Sequence, residues 1–312
     1  MTAGLGHDGR AQGLYGRIVD CNRFVLGQFR PLEAFDAQGM ALRIGAVHRA
    51  VVPRLAAFPD LFATDGDGLR LGRPGMPSAE LTAALDVAMR SLYDRDRRGF
   101  GRWTGEPAPV LADWDGPVLF DVERAAHGLL GIKVRGVHVN GFTRGADGRL
   151  RLWLARRSRD LAHHPGLLDQ IAAGFLASGT DPRRAAEDEA AEEAGIDGAL
   201  AARLRQVSSI SYCLQFDWNL VPGAVFIFDL ELPADFRPEN RDGEVEGFEL
   251  LTLPEVMERL QQPRIFKFDC ALVALDFLAR HGALEGHPDY LRIIQGLHVR
   301  GPWDGPVQGG QS

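Results

Sequence analysis

The chain has 312 residues, of which 45% are hydrophobic and 25% are charged, and its formal net charge is -7 at pH 7. This balance is typical of a folded globular protein, and it disfavours a nucleic acid or an anionic membrane as the main partner, because both require a positive surface. No apolar run approaches the roughly 20 residues that a membrane helix needs. Residues 1–10 lack the apolar core of a signal peptide, so we expect a cytoplasmic protein. The cysteines Cys21, Cys213 and Cys270 are far apart and are expected to be reduced, the last two in the core.

The length and a change in composition predict two domains and a tail. Residues 1–117 are interpreted as an N-terminal α/β domain with its linker, residues 118–300 as a second domain, and residues 301–312 as a flexible tail. In the first domain we expect strands at 24–29 and 41–44, and a helix at 46–58 from the spacing of its apolar residues. A further helix begins at Ser78. Residues 99–117 are rich in glycine and proline, which indicates a linker or loop.

The second domain alternates strand and helix patterns. Strands are predicted at 134–141, 150–155, 207–214, 224–232 and 247–251. A central helix begins after Asp181 at Pro182 and ends at Gly195, and two further helices are expected at 254–260 and 269–281. Strands around one central helix, closed by later helices, predict an α/β (α+β) sandwich with a mixed sheet rather than a doubly wound sheet.

The central helix carries an unusual cluster of acidic residues. Glu189, Glu192 and Glu193 stand at i, i+3 and i+4, so their carboxylates share one face of the helix. Ala186, Ala190 and Ala194 form a small-residue stripe beside them, which lets the helix lie close to a sheet. Such a pattern alone is most often a solvated acidic surface. In a cleft, the carboxylates would repel one another unless a hard divalent cation with oxygen ligands, Mg²⁺ or Mn²⁺, offset their charge.

The residues around this cluster resemble the Nudix box, G-x5-E-x7-R-E-U-x-E-E-x-G-U, where U is aliphatic. The matching positions are Gly174, Glu189, Glu192, Glu193, Gly195 and Ile196, with Ala190 as the small apolar residue. Two positions depart from the box: Thr180 replaces a loop glutamate, and Asp188 replaces an arginine, although Arg184 is spaced to pair with Asp188. The resemblance implies the Nudix α/β/α sandwich, with the three glutamates as metal ligands and catalytic residues.

The flanking sequence resembles one Nudix subfamily more narrowly. The similar stretches are residues 120–140, 152–157, 165–169, 242–246 and 266–282, together with 21–24 and 103–106 in the first domain. In this subfamily a Nudix domain related to that of thiamine pyrophosphokinase fusions follows an N-terminal domain of unknown function. The resemblance implies a diphosphatase for thiamine diphosphate or its oxidised oxo- and oxy- analogues, which releases the monophosphate and phosphate.

Four further residues are candidates for the site. Nudix enzymes often draw another carboxylate from the region of Glu244 and Glu246, as a metal ligand or base, and we favour Glu244 as a catalytic residue. Arg156 and Arg157 end a predicted strand, so at most one of them faces the cleft, where it could bind a diphosphate in bidentate fashion. Lys267 is a further candidate for the same task. An exposed turn or surface role is the alternative for each of them.

These features predict a metal-dependent Nudix hydrolase that cleaves a phosphoanhydride bond by attack of an activated water. Its partner is a small-molecule diphosphate, and a homodimer is compatible with the sequence. Thr180 and Asp188 leave a second hypothesis open, a non-catalytic Nudix-fold module that binds a nucleotide or thiamine phosphate. An isoprenoid diphosphate isomerase would need a reactive cysteine in a matching motif, and we find none.

Overall fold

The computed structural model describes residues 13–161, 163–299 and 301. Its α-helices are α1 (Gly13–Cys21), α2 (Val52–Leu55), α3 (Ser78–Arg95), α4 (His127–Leu130), α5 (Pro182–Ala194), α6 (Gly198–Ala201), α7 (Leu253–Gln261), α8 (Phe268–Arg280) and α9 (Tyr290–Gly296). Its strands are β1 (Phe29–Phe35), β2 (Ala41–His48), β3 (Phe62–Asp65), β4 (Gly68–Leu71), β5 (Pro107–Leu111), β6 (Val118–Glu123), β7 (Val134–Arg144), β8 (Leu150–Arg157), β9 (Leu168–Gln170), β10 (Ala172–Phe175), β11 (Arg205–Phe216), β12 (Asn219–Glu231) and β13 (Val245–Thr252). The N-terminal segment 1–10 and the predicted tail, except Gly301, lie outside the described residues.

The chain divides into two compact units. The N-terminal unit comprises Phe24–Val134 together with the tip of the β11–β12 hairpin, Cys213–Pro222. The C-terminal unit comprises Arg135–Tyr212 and Gly223–Val299, together with helix α1. The domain boundary predicted at residue 117 stays a prediction.

The N-terminal unit is built on a four-stranded sheet of order β2-β1-β4-β3. Strand β1 pairs antiparallel with β2 and parallel with β4, so the sheet is mixed. Strands β5 and β6 form a separate antiparallel pair. Helix α3 buries Leu81, Leu85, Met89 and Leu92, one face of a helix at the spacing that the sequence shows.

One glycine of the N-terminal unit is required by close packing of backbones. Gly131 has a φ of +62°, and a Cβ there would lie 2.1 Å from the carbonyl oxygen of Ala46. Both the left-handed conformation and the lack of space exclude a side chain. The turn after α4 can therefore approach strand β2 only because this residue is glycine.

The C-terminal unit contains a sheet with the strand order β11-β12-β7-β8-β13, to which β10 is added on β7 and β9 on β8. Strand β8 pairs antiparallel with β7, β9 and β13. Helix α5 lies on this sheet through Ala186, Ala190 and Ala194, each fully buried against a core that includes Val137 and Phe228. The predicted stripe of small residues is confirmed as the packing face.

Three predictions for the N-terminal unit are wrong. Residues 24–29 were expected to form a strand, but they contain a 3-10 turn at Leu26–Gln28, and the strand begins only at Phe29. The helix expected at 46–58 is limited to Val52–Leu55, because β2 continues to His48 and the helix starts next to Pro53. The expected loop at 99–117 contains strand β5. In the second and third of these segments, pairing with a neighbouring strand decides the structure and the local sequence does not.

The cysteines and helices agree with the remaining general expectations. Cys21, Cys213 and Cys270 are buried free thiols, which confirms that Cys213 and Cys270 lie in the core. Within the part of the chain that the structure describes, none of the helices combines the length and apolarity needed to cross a bilayer.

Candidate active site

The ends of helix α5 are set by local chemistry. Asp181 caps the helix, and its Oδ1 accepts hydrogen bonds from the backbone N–H groups of Arg183 and Arg184, at 2.9 and 3.2 Å. Pro182 follows in the first turn, where a backbone N–H is not needed. Gly195 ends the helix with a φ of 67°, a left-handed conformation that glycine adopts without strain. The predicted bounds of the helix are therefore confirmed.

Two of the three box glutamates point from α5 toward strand β10. Glu193 accepts a hydrogen bond from the backbone N–H of Ala173 at 2.8 Å. A Cβ on Gly174 would lie 1.9 Å from Oε1 of Glu189, so the Glu189 carboxylate lies directly against the backbone of this glycine. Glu192 is exposed on the same helix. The box glycine is thus needed to leave room for a box glutamate.

Glu193 is buried close to other carboxylates. Burial raises the pKa of its carboxyl well above the ordinary value, and the carboxylates of Asp169, Glu189 and Glu244 raise it further, against the opposing hydrogen bond from Ala173. A nearby cation would reverse this shift, because opposite charge favours the ionised carboxylate. The donor set is all oxygen, the set that Mg²⁺ and Mn²⁺ prefer. These residues therefore fit a hard divalent cation.

Asp169 connects the glutamates to a second, buried group of charges. Arg157 donates from Nη1 to Oδ2 of Asp169 at 3.1 Å, and Nζ of Lys267 lies 3.9 Å from the same oxygen. The thiol of Cys270 donates to Oδ1 at 2.7 Å. Burial alone would raise the pKa of Asp169, but Lys267, His138 and Arg157 hold it below its ordinary value. Asp169 is therefore a charged carboxylate in the core, stabilised by cations that converge on it.

Asp269 is the other carboxylate of this group. Its Oδ2 lies 3.1 Å from Nζ of Lys267 and 3.7 Å from Nε2 of His138. Burial would raise the pKa of Asp269, but Lys267 and His138 lower it far below its usual range. Burial would likewise lower the pKa of Lys267, which Asp269, Cys270 and Asp169 instead raise. The positive and negative charges of this group compensate one another.

Three members of the buried group have the spacing of metal ligands. The ligand atoms of His138, Asp269 and Cys270 lie within 4.8 Å of one another. Their hydrogen bonds, however, use these atoms. His138 Nδ1 lies 2.7 Å from Oε1 of Gln170, whose amide nitrogen donates to the carbonyl of Cys270 at 3.1 Å, so Nδ1 carries a proton. Burial raises the pKa of the Cys270 thiol, and Lys267 neutralises Asp269. This group fits an ion-paired core better than a metal centre.

The two arginines that end strand β8 point in different directions, as alternation along a strand requires. Arg156 pairs with Glu249, and its Nη1 donates to the carbonyl of Gly166 at 3.0 Å. Arg157 instead joins Lys267 at Asp169. The structure therefore brings together Arg157 and Lys267 of the predicted substrate-binding residues, and it places Arg156 elsewhere.

Glu244 lies in the turn before β13 and acts on Glu193, whereas Glu246 lies within β13. Glu244 is exposed, and its carbonyl accepts a hydrogen bond from the backbone N–H of Ser158 at 2.7 Å. Its carboxylate contributes to the raised pKa of Glu193. Glu246 forms an ion pair with Arg159 at 3.6 Å. The choice of Glu244 as a catalytic residue stays a prediction.

The two departures from the box lie outside this cluster of carboxylates. Arg184 donates from Nε to Oδ2 of Asp188 at 2.9 Å, so the expected pair forms within one turn of α5. The backbone N–H of Thr180 donates to the carbonyl of Ala177 at 3.2 Å in the loop before the helix. Neither substitution removes Glu189 or Glu193 from the site.

Sequence reasoning missed Asp169, Asp269 and His138. Asp169 stands between Leu168 and Gln170 in the short strand β9 and pairs in register with Ala155 of β8, and Asp269 lies in the first turn of the largely apolar helix α8. A buried acid needs a partner, and this rule could have linked the two acids to Lys267 or Arg157. The contact between Asp169 and Lys267 joins residues about 100 positions apart, which no local pattern contains.

Comparison with known proteins finds matches over most of the chain. Residues 14–134 match the family model "Domain of unknown function (DUF4743)", and residues 134–271 match the model "NUDIX domain". The chain is 34% identical to Nudix hydrolase 20, chloroplastic, of Arabidopsis thaliana over 304 residues, which cover 92% of this chain and 78% of that protein. It is 32% identical to Nudix hydrolase 24, chloroplastic, of the same plant, over 91% of this chain and 77% of that protein. A crystal structure of DR0079 from Deinococcus radiodurans is 23% identical and covers 54% of this chain and 97% of that one, with a TM-score of 0.41.

Proposed function

The chain belongs to the Nudix hydrolase family, whose members act on phosphoanhydrides, and we propose that it is a Mg²⁺- or Mn²⁺-dependent diphosphatase. One observation carries this proposal: Glu193 is buried beside the carboxylates of Asp169, Glu189 and Glu244, and its pKa is raised. Carboxylates that are brought together in this way repel one another, and a bound divalent cation would offset the repulsion. A protein that only bound a phosphate would be hindered by this negative charge.

The box glutamates are the residues that would hold the cation. Glu189 and Glu193 face strand β10, and Glu192 lies exposed one turn from Glu189. When bound, a divalent cation neutralises phosphoryl oxygens and makes a nearby water more acidic. The usual ligands of Mg²⁺ are one or two carboxylates, several waters and the phosphates of the substrate. A site that has few buried carboxylates agrees with this coordination.

The chemical step transfers a phosphoryl group to water. The oxygen of water attacks one phosphorus, the bond from that phosphorus to the bridging oxygen breaks, and the leaving phosphate keeps the electron pair. Glu244, or one of the box glutamates, accepts the proton of the attacking water. Arg157 and Lys267, which both contact Asp169, would contribute positive charge to the site, and Nε of Arg157 is a buried donor without an acceptor among the described residues. Positioning and charge compensation therefore account for the catalysis.

The proposed substrate is thiamine diphosphate or one of its oxidised oxo- and oxy- analogues. Support for this choice comes from the sequence stretches that resemble the thiamine-related subfamily. The expected products are the thiamine-type monophosphate and inorganic phosphate. The cytoplasmic location and the homodimer stay predictions of the sequence.

The proposal is tested with the purified full chain, Mg²⁺ or Mn²⁺, and a panel of diphosphates. The panel contains thiamine diphosphate, its oxo- and oxy- analogues, ADP-ribose, dinucleoside phosphates and oxidised nucleotides, and the products are separated by chromatography. We expect turnover of a thiamine-type diphosphate that stops when the metal is chelated. Glu189→Gln and Glu193→Gln should each lower kcat by about 10²-fold or more, because each removes a charge from the site.

A matched control is available on the same helix. Glu187 accepts a hydrogen bond from Nε of Arg183 at 2.9 Å on another face of α5, so Glu187→Gln should retain full activity. Equal losses in Glu187→Gln and Glu193→Gln would contradict the assignment of the site. Tight binding of one compound without any turnover would instead favour a non-catalytic binding module.

A further inference from the structure

The N-terminal unit contains a cavity of about 520 Å³ that the proposed hydrolysis does not use. It lies between helix α3, the segment that leads into β5, and strand β6. Its lining includes Thr82, Asp86, Trp103, Asp121 and Glu123. Cavities of 300–1,000 Å³ with a few converging polar groups are typical of sites for small molecules.

The polar side of this cavity is rich in carboxylates. Asp121 is fixed to α3, since its backbone N–H donates to Oγ1 of Thr82 at 3.1 Å. Its Oδ1 is buried and has no hydrogen-bond partner in the part of the chain that the structure describes. Glu123 is buried as well and accepts a hydrogen bond from the backbone N–H of Thr104 at 3.1 Å. Asp86 adds an exposed third carboxylate from α3.

The aromatic side of the cavity is Trp103, which its neighbours hold in place. The ring of Tyr93 lies 5.3 Å from the indole, and the guanidinium carbon of Arg90 lies 5.1 Å from its centre. Arg90 is the one basic residue among the described residues that line the cavity, and Asp94 already pairs with it at 3.2 Å. The half-buried indole is therefore held in a fixed position as one wall of the cavity. It already lies beside one cation of the chain, the guanidinium of Arg90.

The sign of the charge decides what this cavity can hold. An anion would meet three carboxylates and a single arginine whose charge is already paired, so phosphates and carboxylic acids are disfavoured. A cation would compensate Asp121, whose buried oxygen lacks a partner, and would be attracted by the indole. We propose that this cavity is a binding site for a small, flat organic cation, an amidinium or a protonated aromatic amine, with Asp86 and Asp121 as charge partners and Trp103 as the stacking surface.

Three probes of one shape separate charge from shape in the test. Benzamidine is a flat cation, benzamide its neutral counterpart and benzoate its anionic counterpart. Binding of each to the full chain is measured by isothermal titration calorimetry. We expect benzamidine to bind about tenfold or more tightly than benzamide, the effect of one charge-assisted contact, and benzoate not to bind. Equal binding of benzamidine and benzamide, or no binding of benzamidine, would overturn the proposal.

Variants locate the binding in this cavity. Asp121→Asn, Asp86→Asn and Trp103→Leu should each weaken benzamidine binding, by about tenfold for the loss of a charged partner. Asp86 is exposed, so Asp86→Asn keeps the test valid if a change at Asp121 impairs folding. Glu80→Gln, on α3 but outside the lining, should have no effect. Unchanged binding in all three cavity variants would refute the site.

One further variant separates this proposal from the proposed hydrolysis. Glu192→Gln alters the box in the C-terminal unit and should reduce turnover, but it should leave benzamidine binding as in the parent chain. Loss of benzamidine binding in Glu192→Gln would show that the probe binds to the box glutamates, and it would overturn the cavity assignment while leaving the hydrolase proposal intact.

Discussion

Replacing Gly174 by alanine tests how closely the box glycine and Glu189 depend on each other. The added Cβ would lie 1.9 Å from Oε1, 2.2 Å from Cδ and 2.5 Å from Cγ of Glu189, whereas ordinary contacts begin at 3.4 Å. The carboxylate must therefore move by about 1.5 Å, and a displacement of about 1 Å at a reacting centre can cost 10²-fold in rate. We expect Gly174→Ala to lose about 10²-fold in kcat.

The same change should hardly affect stability. The side chain that must move is long and half-buried, and alanine in an extended strand restricts the unfolded chain, which stabilises by about 0.4–1 kcal/mol. The unfolding midpoint of Gly174→Ala should therefore stay close to that of the parent chain. Loss of activity with an intact fold would then reflect the position of Glu189 alone.

The assay compares Gly174→Ala with a glycine of the same unit that has free space around it. A Cβ on Gly247 in β13 would meet no atom within 4 Å, so Gly247→Ala should keep full activity and equal or slightly higher stability. Turnover of the identified substrate and thermal unfolding are measured for both variants side by side. Equal activity of Gly174→Ala and Gly247→Ala would refute the reasoning that this close contact positions Glu189.

Three further predictions concern stability. Arg280→Ala removes the guanidinium that pairs with Asp229 at 2.6 Å and with Asp276 at 2.7 Å, and it should lower the free energy of unfolding in urea by about 3–5 kcal/mol. Arg184 is exposed, so Arg184→Ala should cost less than about 1 kcal/mol, and equal costs of the two variants would contradict this prediction. Burial would raise the pKa of Asp229, but its hydrogen bonds lower the pKa below the ordinary value. Its contribution to the free energy of unfolding is therefore fully present above the unfolded pKa of about 3.9 and is lost as the pH falls through the folded pKa. Asp229→Asn should therefore flatten the acid limb of stability, and an unchanged limb would contradict the prediction. Gly131→Ala should destabilise the fold by more than about 2 kcal/mol, because of its positive φ and the backbone of Ala46, and an unchanged thermal midpoint would exclude this.

Local chemistry made much of the C-terminal unit predictable. Helix α5 begins after Asp181 and ends at Gly195, as its caps indicate, and its alanine stripe packs on the sheet. The acidic pattern located two glutamates that face strand β10, because i, i+4 spacing on a regular helix places side chains on one face whatever surrounds it.

The features that the sequence did not show depend on distant contacts. Residues 46–48 begin a segment whose apolar residues have helical spacing, yet these residues extend β2, because β1 pairs with that strand as far as His48. The ion pair between Asp169 and Lys267 joins residues about 100 positions apart, so it forms only in the folded chain. Arg156 and Arg157 look equivalent in the sequence, and only the pairing of β8 with β13 places Glu249 next to Arg156.

The central claim, that the box glutamates hold a divalent cation, is tested most directly by titrating the full chain with Mn²⁺ and measuring the free ion by electron paramagnetic resonance. We expect binding by the parent chain and by Glu187→Gln, and binding weaker by about tenfold or more in Glu193→Gln, since a charged ligand is lost. Binding of Mn²⁺ to Glu193→Gln with the affinity of the parent chain would contradict the claim.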